Sequence, residues 1–506
     1  MAALKLVQLP EPLLGFGFQQ RMEHPKDGLF LFGPLADDAH PAEMRVGVIG
    51  TEGGIERFRS WAKRIRGYIP STNPEVAHHA SWPGFEAVFD TKWPERPITE
   101  IKVDGAALAA AIRIENRHEA ISKAVGLFET PIRRYLRQNE APPTMWFVVI
   151  PEDVHRFGRP KSNVPRGERV QGDAKLSRRA GRFVLETGSL FQEEVDAAEI
   201  YRFELNFHHQ LKAKLLGEKA VIQIVRETTL TPDEFVDDRG RQVRATQDPA
   251  TVAWNLCTTA FFKSSGKPWR LAEVRTGVCY VGLVFKKDDT ALGAANACCG
   301  AQMFLDSGDG VVFRGAVGPW YSEADKSFHL TKEKAAELMT LIVGAYRDMH
   351  GAPPTELFIH GKARFSDDEW EGFSSAVPPK THLVGVRIRP TNELKLLRLG
   401  KTAVQRGTAY MAGDRYGYLW TKGFIARLAT YPGWEVPNPL LVEIHRGEAD
   451  LQRVMTDVLG LTKINFNACV FADGLPVTLK FADAVGDILT AAPVGDLPPL
   501  PFRHYI

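Results

Sequence analysis

The stretch Gly277–Gly318 reads GVCYVGLVFKKDDTALGAANACCGAQMFLDSGDGVVFRGAVG. Its opening alternates Val278, Tyr280, Gly282 and Val284 with Cys279, Val281, Leu283 and Phe285. Both sets are apolar, the pattern of a strand buried on both faces. Charge arrives only with Lys286 and Lys287, where the strand ends. Two further apolar runs are separated by Asp306-Ser307-Gly308-Asp309-Gly310, a strong hairpin turn signal. That acidic turn is too short for a calcium loop and lacks its terminal Glu. A helix follows in TKEKAAELMTLIVGAYRDMHG, with Thr331 as N-cap, Leu338, Ile342 and Ala345 as buried stripe, and Gly351 as stop.

Working outward, the pattern predicts strands at Glu356–His360 and Leu383–Ile388 with a helix after Ser366 between them. Three antiparallel strands followed by helix–strand alternation is the order of an RNase H-like domain. The first half alternates from the start. MRVGVIGTEGGIERFRSWAKRIRG predicts a strand at Arg45–Ile49, a turn, and a helix burying Ile55, Phe58 and Trp61. TMWFVVIPEDVHRF repeats that theme. A chain of 506 residues is long for one domain. The change of character divides it into 1–250 and 251–506, an α/β chain throughout.

Composition narrows the function classes. The chain is 44% hydrophobic and 25% charged, ordinary for a soluble globular protein, and its formal charge is +2. No global attraction to a polyanion follows, so any nucleic-acid binding needs a local patch. Cys257, Cys279, Cys298, Cys299 and Cys469 form no CxxC pair, which predicts reduced, buried thiols in a cytoplasmic protein. The N-terminal run, with one early Lys and with Pro10 and Pro12 inside it, is a poor signal peptide, and no apolar stretch approaches membrane-spanning length. The basic stretch from Arg156 to Arg182 reads as a solvated loop, with a nucleic-acid-facing loop as the sharper alternative. Gly50-Thr51-Glu52-Gly53-Gly54 has neither the Lys of a phosphate loop nor the spacing of a dinucleotide fingerprint.

The richest segment is EIYRFELNFHHQLKAKLLGEKAVIQIVRETTL. Phe207, Leu211 and Leu215 form an apolar helix stripe, and His208 and Lys212 share the adjacent face at i, i+4. Gln223 interrupts an apolar strand predicted over Ala220–Val225, and a buried Gln needs partners. Further on, an apolar helix places Lys263 in its last turn before Ser264-Ser265-Gly266. Each of the four has an ordinary structural reading; together they suit an anion.

The segment NLCTTAFFKSSGKPW resembles the junction of the MID and PIWI domains of Argonautes. The set His208, Lys212, Gln223 and Lys263 is similar to the MID pocket for a guide strand's 5′-phosphate. LFLFGPL, WPGFEAVF, ANACCGAQMFLDSGDG and VPNPLLVEI all resemble short prokaryotic Argonautes, which consist of MID and PIWI domains only. The resemblance implies a Rossmann-like MID domain over 1–250 and an RNase H-like PIWI domain over 251–506. It implies a Mg²⁺ ion at the phosphate pocket, bridged to the carboxylate of Ile506.

Active PIWI domains hold two metal ions with carboxylates. By resemblance, the first acid belongs at the end of Tyr280-Val281-Gly282-Leu283-Val284, where Val284 stands. The second belongs where Gly361 and Lys362 stand, and the last at Asp483 in Phe481-Ala482-Asp483. Asp367, Asp368 and Glu369 read as the first turn of a helix. The expectation is a cleavage-inactive protein. For such members the resemblance implies a 5′-phosphorylated RNA guide, a single-stranded DNA target and an APAZ-containing partner. The partner's effector is TIR or, second, sirtuin-like and hydrolyses NAD(P); the heterodimer oligomerises on target binding, with no membrane involved. The rival reading is a metal-dependent nuclease using Asp306, Asp309 and Asp483.

Overall fold

The computed structural model describes residues 5–36, 40–76, 78–273, 275–287, 296–304, 310–319, 321–322, 327–431, 433–493 and 499–506, excepting the side chains at 284, 287, 296–299, 310, 314–319 and 321–322. The chain opens with β1 (Leu6–Gln8), which joins the second of two main sheets. The first sheet uses β2 (Val46–Gly50), β3 (Thr99–Lys102), β4 (Met145–Ile150) and β5 (Ile222–Arg226), all parallel in the order β3-β2-β4-β5. All six residues of β4 are buried. Met145, Phe147 and Val149 pack into one core and Trp146, Val148 and Ile150 into another, so the sheet is covered on both faces. Helix α1 (Glu52–Ile65) covers the first face with Ile55, Phe58 and Trp61; α2 (Arg117–Gln138) covers the second with Ile121, Val125 and Phe128.

The turn into α1 settles the glycine-rich motif. Thr51 Oγ1 caps the helix by accepting from Gly54 N at 3.1 Å, and donates to Glu227 Oε1 at 3.0 Å. A protein carboxylate therefore already lies at this helix start, so a nucleotide phosphate does not fit there. The basic stretch also differs from a plain loop. Ser177 caps α3 (Arg178–Thr187) by accepting from Ala180 N at 3.2 Å, so its last residues are helical.

Helices α4 (Phe207–Leu215) and α5 (Pro249–Lys263) lead to the second sheet. Its strands are β6 (Val278–Lys287), β7 (Asn296–Phe304), β8 (Gly310–Pro319), β9 (Glu356–Gly361), β10 (His382–Pro390), β11 (Thr408–Met411), β12 (Tyr416–Leu419), β13 (Leu440–Arg446) and β14 (Leu500–Pro501). The ten strands run β1-β11-β12-β13-β10-β9-β6-β7-β8-β14. Phe304 lies opposite Gly310, as a hairpin requires; the turn between them, with Asp306 and Asp309, lies outside the described residues. Thr331 Oγ1 caps α6 (Lys332–His350) and Gly351 ends it at φ +74°. Ser366 caps α7 (Asp367–Ala376).

Strand β6 is central, antiparallel to β7 and parallel to β9. Val278 and Tyr280 enter one core, and Cys279, Val281 and Leu283 the other, as the two apolar faces predict. Two late helices, α8 (Val477–Lys480) and α9 (Ala482–Leu489), pack on it. The two sheets share a core: Leu9, Val46, Phe261, Val278 and Phe502 belong to one cluster. Cys257, Cys279 and Cys469 are free and buried. Among the described residues no helix is long and apolar enough to cross a membrane.

Gly282 has a steric purpose. A Cβ there would lie 1.9 Å from the Thr478 carbonyl oxygen, because the α8 main chain rests directly on β6. Gly282→Ala should cost about 2 kcal/mol or more in urea denaturation. Gly344→Ala, in α6 with nothing within 4 Å, should be neutral or stabilising.

Candidate functional site

Helix α4 starts where Asn206 Oδ1 accepts from His208 N at 3.0 Å and His209 N at 3.3 Å. Phe207, Leu211 and Leu215 are buried among the second core of the first sheet. That packing turns His208 and Lys212 to a common side. Lys212 is only 5% exposed; its Nζ donates to the main-chain oxygens of Tyr505 at 3.1 Å and Ile506 at 2.7 Å. Lys263, 1% exposed, ends α5, and its Nζ donates to Ile222 O at 2.8 Å and Gln223 Oε1 at 2.7 Å. Ser265, at φ +77°, turns the chain away beyond it. An ammonium has three N–H donors, so each lysine retains one.

The electrostatics are unbalanced. Burial pushes Lys212 down to about 7. Burial and then the Lys212 charge hold Lys263 well below its ordinary range. His208 is also held well below its ordinary value, by surrounding protein and then by Lys212, His209 and Lys263, although its ring stays open to solvent through a cavity. That cavity, of about 520 Å³, is lined by His155, Arg159, Asn206, His208 and Arg226 among others. It opens at the carboxyl ends of β4 and β5, the ligand-binding edge of an open parallel sheet. Burial, then Arg226 and Arg159, push His155 down to about 4. Lys212 and Lys263 do not line this cavity themselves, but both act on His208, which does, and such cationic surroundings suit an anion.

The sequence-predicted residues His208, Lys212, Gln223, Lys263 and Ile506 thus come together. His155, Arg159 and Arg226 were not singled out from sequence; the run PEDVHRFGRP directly after β4 is the signal that carries two of them. The fit to Mg²⁺ is poor for the protein groups alone. The oxygens of Gln223 and Ile506 already accept from ammonium groups, and no cluster of three His, Cys, Asp or Glu occurs among the described residues. A magnesium ion usually keeps several waters and takes one or two carboxylates plus phosphate oxygens, so here it would need the Ile506 carboxylate and a bound phosphate.

A second cleft, of about 270 Å³, lies where the resemblance places degenerate metal ligands. Lys362 Nζ donates to both carboxylate oxygens of Asp483, at 2.8 Å each. Asp483 stands in the first turn of α9 and both residues line the cleft with His329, Arg364 and Glu369. The Val284 main chain lies in β6 opposite Gly300, and its side chain is outside the described set. Asp367, Asp368 and Glu369 do form the first turn of α7. Glu369 completes its capping box and also accepts from His329 at 2.9 Å. Of the rival carboxylates, Asp483 is engaged by Lys362, and Asp306 and Asp309 lie outside the described residues.

No family profile matches the chain, and no curated protein matches it either. Solved structures do. Clostridium butyricum Argonaute, bound to a guide DNA and a 19-mer target DNA, superimposes with a TM-score of 0.61 at 13% identity, covering 98% of this chain and 54% of that one. A. aeolicus Argonaute gives 0.55 at 13% identity, with 98% and 54% covered. Aa-Ago with externally bound siRNA gives 0.53 at 12%, with 99% and 56% covered. The fold is Argonaute-like. At these identities the likeness is one of fold, and the chain spans about half the length of these Argonautes. The α/β reading, a Rossmann-like MID fold followed by an RNase H-like PIWI fold, holds.

Lys212 gives this Argonaute-like chain a pH signature. The unfolded chain keeps that proton to about pH 10.4, whereas the folded chain releases it near 7. Between those values the unfolded state binds more protons, so stability rises with pH, by up to about 1.4 kcal/mol per pH unit for one group. Urea titrations across that window should show this rise in the native chain and a slope lower by about one proton in Lys212→Met.

Proposed function

We propose that the chain is the guide-binding, cleavage-inactive subunit of a prokaryotic defence complex. It would hold a small 5′-phosphorylated RNA and use it to recognise complementary single-stranded DNA from plasmids or phages. Pairing would activate an associated APAZ-containing effector, with a TIR domain hydrolysing NAD(P) as first choice and a sirtuin-like domain as second. The observation that carries the reading is the pair Lys212 and Lys263: each is buried, each retains one donor, and both adjoin His208.

A terminal phosphate carries more charge than an internal one, so it answers two ammonium groups better than a backbone phosphate does. Binding it would return each lysine towards its ordinary charged state, because an anion offsets the burial that lowers it. His208, open to the cavity, would contact the first nucleotide or its phosphate. Base pairing would supply sequence specificity, leaving the protein to read backbone and duplex shape. Inactivity would rest on Val284 and on the Lys362–Asp483 ion pair, since a lysine ammonium held on that carboxylate repels the metal ions that cleavage needs.

Two measurements test this. Lys212→Ala and Lys263→Ala should each weaken a 5′-phosphorylated guide by about tenfold or more, and a 5′-hydroxyl guide much less. Equal losses for both guides would remove the pocket assignment. Guide-loaded protein with complementary DNA and Mg²⁺ or Mn²⁺ should bind tightly and leave the DNA intact; cleavage would make the chain a nuclease.

A further inference from the structure

A second cavity, of about 480 Å³, opens over the first turn of α2 and is not part of the lysine pocket. Its wall includes Asn116, Arg117, His118, Glu119, Gln171 and Arg178. Asn116 Oδ1 caps the 22-residue helix by accepting from His118 N at 3.1 Å and Glu119 N at 3.3 Å. His118 is 8% exposed, and neither ring nitrogen makes a hydrogen bond of normal geometry. The Ile200 backbone is the one main-chain group near enough to favour a charged ring. Buried polar groups are paired as a rule, so among the described residues this ring is short of at least one partner.

The charges around it show which kind of partner. The nearby acids are already matched. Glu119 accepts from Asp173 N at 2.8 Å and Ala174 N at 3.0 Å and pairs with Lys123 at 2.8 Å. Lys123 also meets Asp173 at 2.7 Å, and Glu115 pairs with Arg169 at 3.2 Å. The Arg117 guanidinium donates to the Ile112, Ile114 and Phe157 carbonyls and keeps its full positive charge. Arg178 stands exposed at the start of α3, and with Arg182 it acts on His118 to hold the ring down, after burial, at about 4. The positive end of a long helix dipole, two arginines and an unpaired imidazole converge on one opening.

We infer that this cavity binds a phosphate group, received by His118 and Arg178. The neutral imidazole donates its N–H to a phosphate oxygen, and Arg178 supplies the charge. The two cavities lie on either side of one wall. Arg117 donates to Phe157 O, next to Gly158 of the first cavity, while Leu205 lines the second and Asn206 the first. The phosphate can therefore come from a nucleic-acid backbone that continues past the lysine pocket, or from a free phosphorylated small molecule.

Two arms on the full-length chain separate these sources. In the first, inorganic phosphate is titrated into guide-free protein while the His118 ring resonances, identified by their loss in His118→Gln, are followed by NMR. In the second, RNA guides carrying one neutral methylphosphonate linkage at each position in turn are compared for affinity in native protein and in Arg178→Glu, an exposed substitution that spares the core. A backbone phosphate predicts one linkage whose neutralisation costs about tenfold in native protein and nothing further in Arg178→Glu. A free ligand predicts a saturating His118 shift that Arg178→Glu abolishes, with identical linkage scans. No His118 shift together with identical scans would overturn the assignment. The first arm uses no guide, so it stands even if the lysine pocket does not bind one.

Discussion

Two ammonium groups are buried near each other, Lys212 against the Ile506 carboxylate and neither with an acidic side chain among the described residues, and the rest of the pocket follows from how their charge is managed. Lys263 is held by the start of β5 through Ile222 O and Gln223 Oε1; Lys212 is held by the main chain at Tyr505 and Ile506. The first pair of acceptors belongs to the parallel sheet and the second to the segment that follows β14 of the ten-stranded sheet. The pocket is therefore complete only when both sheets are assembled. The shared hydrophobic core gives that assembly its stability. An incoming anion would relieve repulsion already present in the fold, an advantage that a pre-organised site has over a flexible one.

The nearness of His208 and Lys212 was legible because helix periodicity places them on one face whatever the surroundings. A polar Gln223 inside an apolar strand likewise advertises a need for partners. The acceptors on Lys212 were not derivable from residue spacing, because they are backbone oxygens of residues distant in sequence. His155 and Arg159 follow β4 in a short segment whose periodicity is too brief to reveal which way they point. Gly282 shows the same boundary. Its place in a strand was clear, but its reason is the Thr478 carbonyl, brought close only by the tertiary fold. The three-residue strand β1 carries too little pattern to predict, and its pairing with Thr408–Met411 spans most of the chain. The Arg156–Arg182 stretch reads as loop from its basic composition, and the Ser177 cap that makes its last residues helical shows only in the structure.

The second cleft bears on how the proposed complex would divide binding from chemistry. An RNase H-like sheet brings the ends of β6 and β9 and the start of α9 to one opening, where carboxylates would hold metal ions. Here Lys362 lies against Asp483 and donates to both of its carboxylate oxygens. Recognition and any catalysis in the proposed complex would then belong to different chains, coupled through what happens when a target pairs.

The central claim is that the two lysines receive a terminal phosphate, and the structure of the chain bound to a 5′-phosphorylated RNA tests it most directly. The account predicts density for the 5′-phosphate within hydrogen-bonding distance of both Lys212 Nζ and Lys263 Nζ, with His208 beside it. A 5′-phosphate located elsewhere, with both lysines still engaged only by Ile506, Tyr505, Ile222 and Gln223, would contradict it.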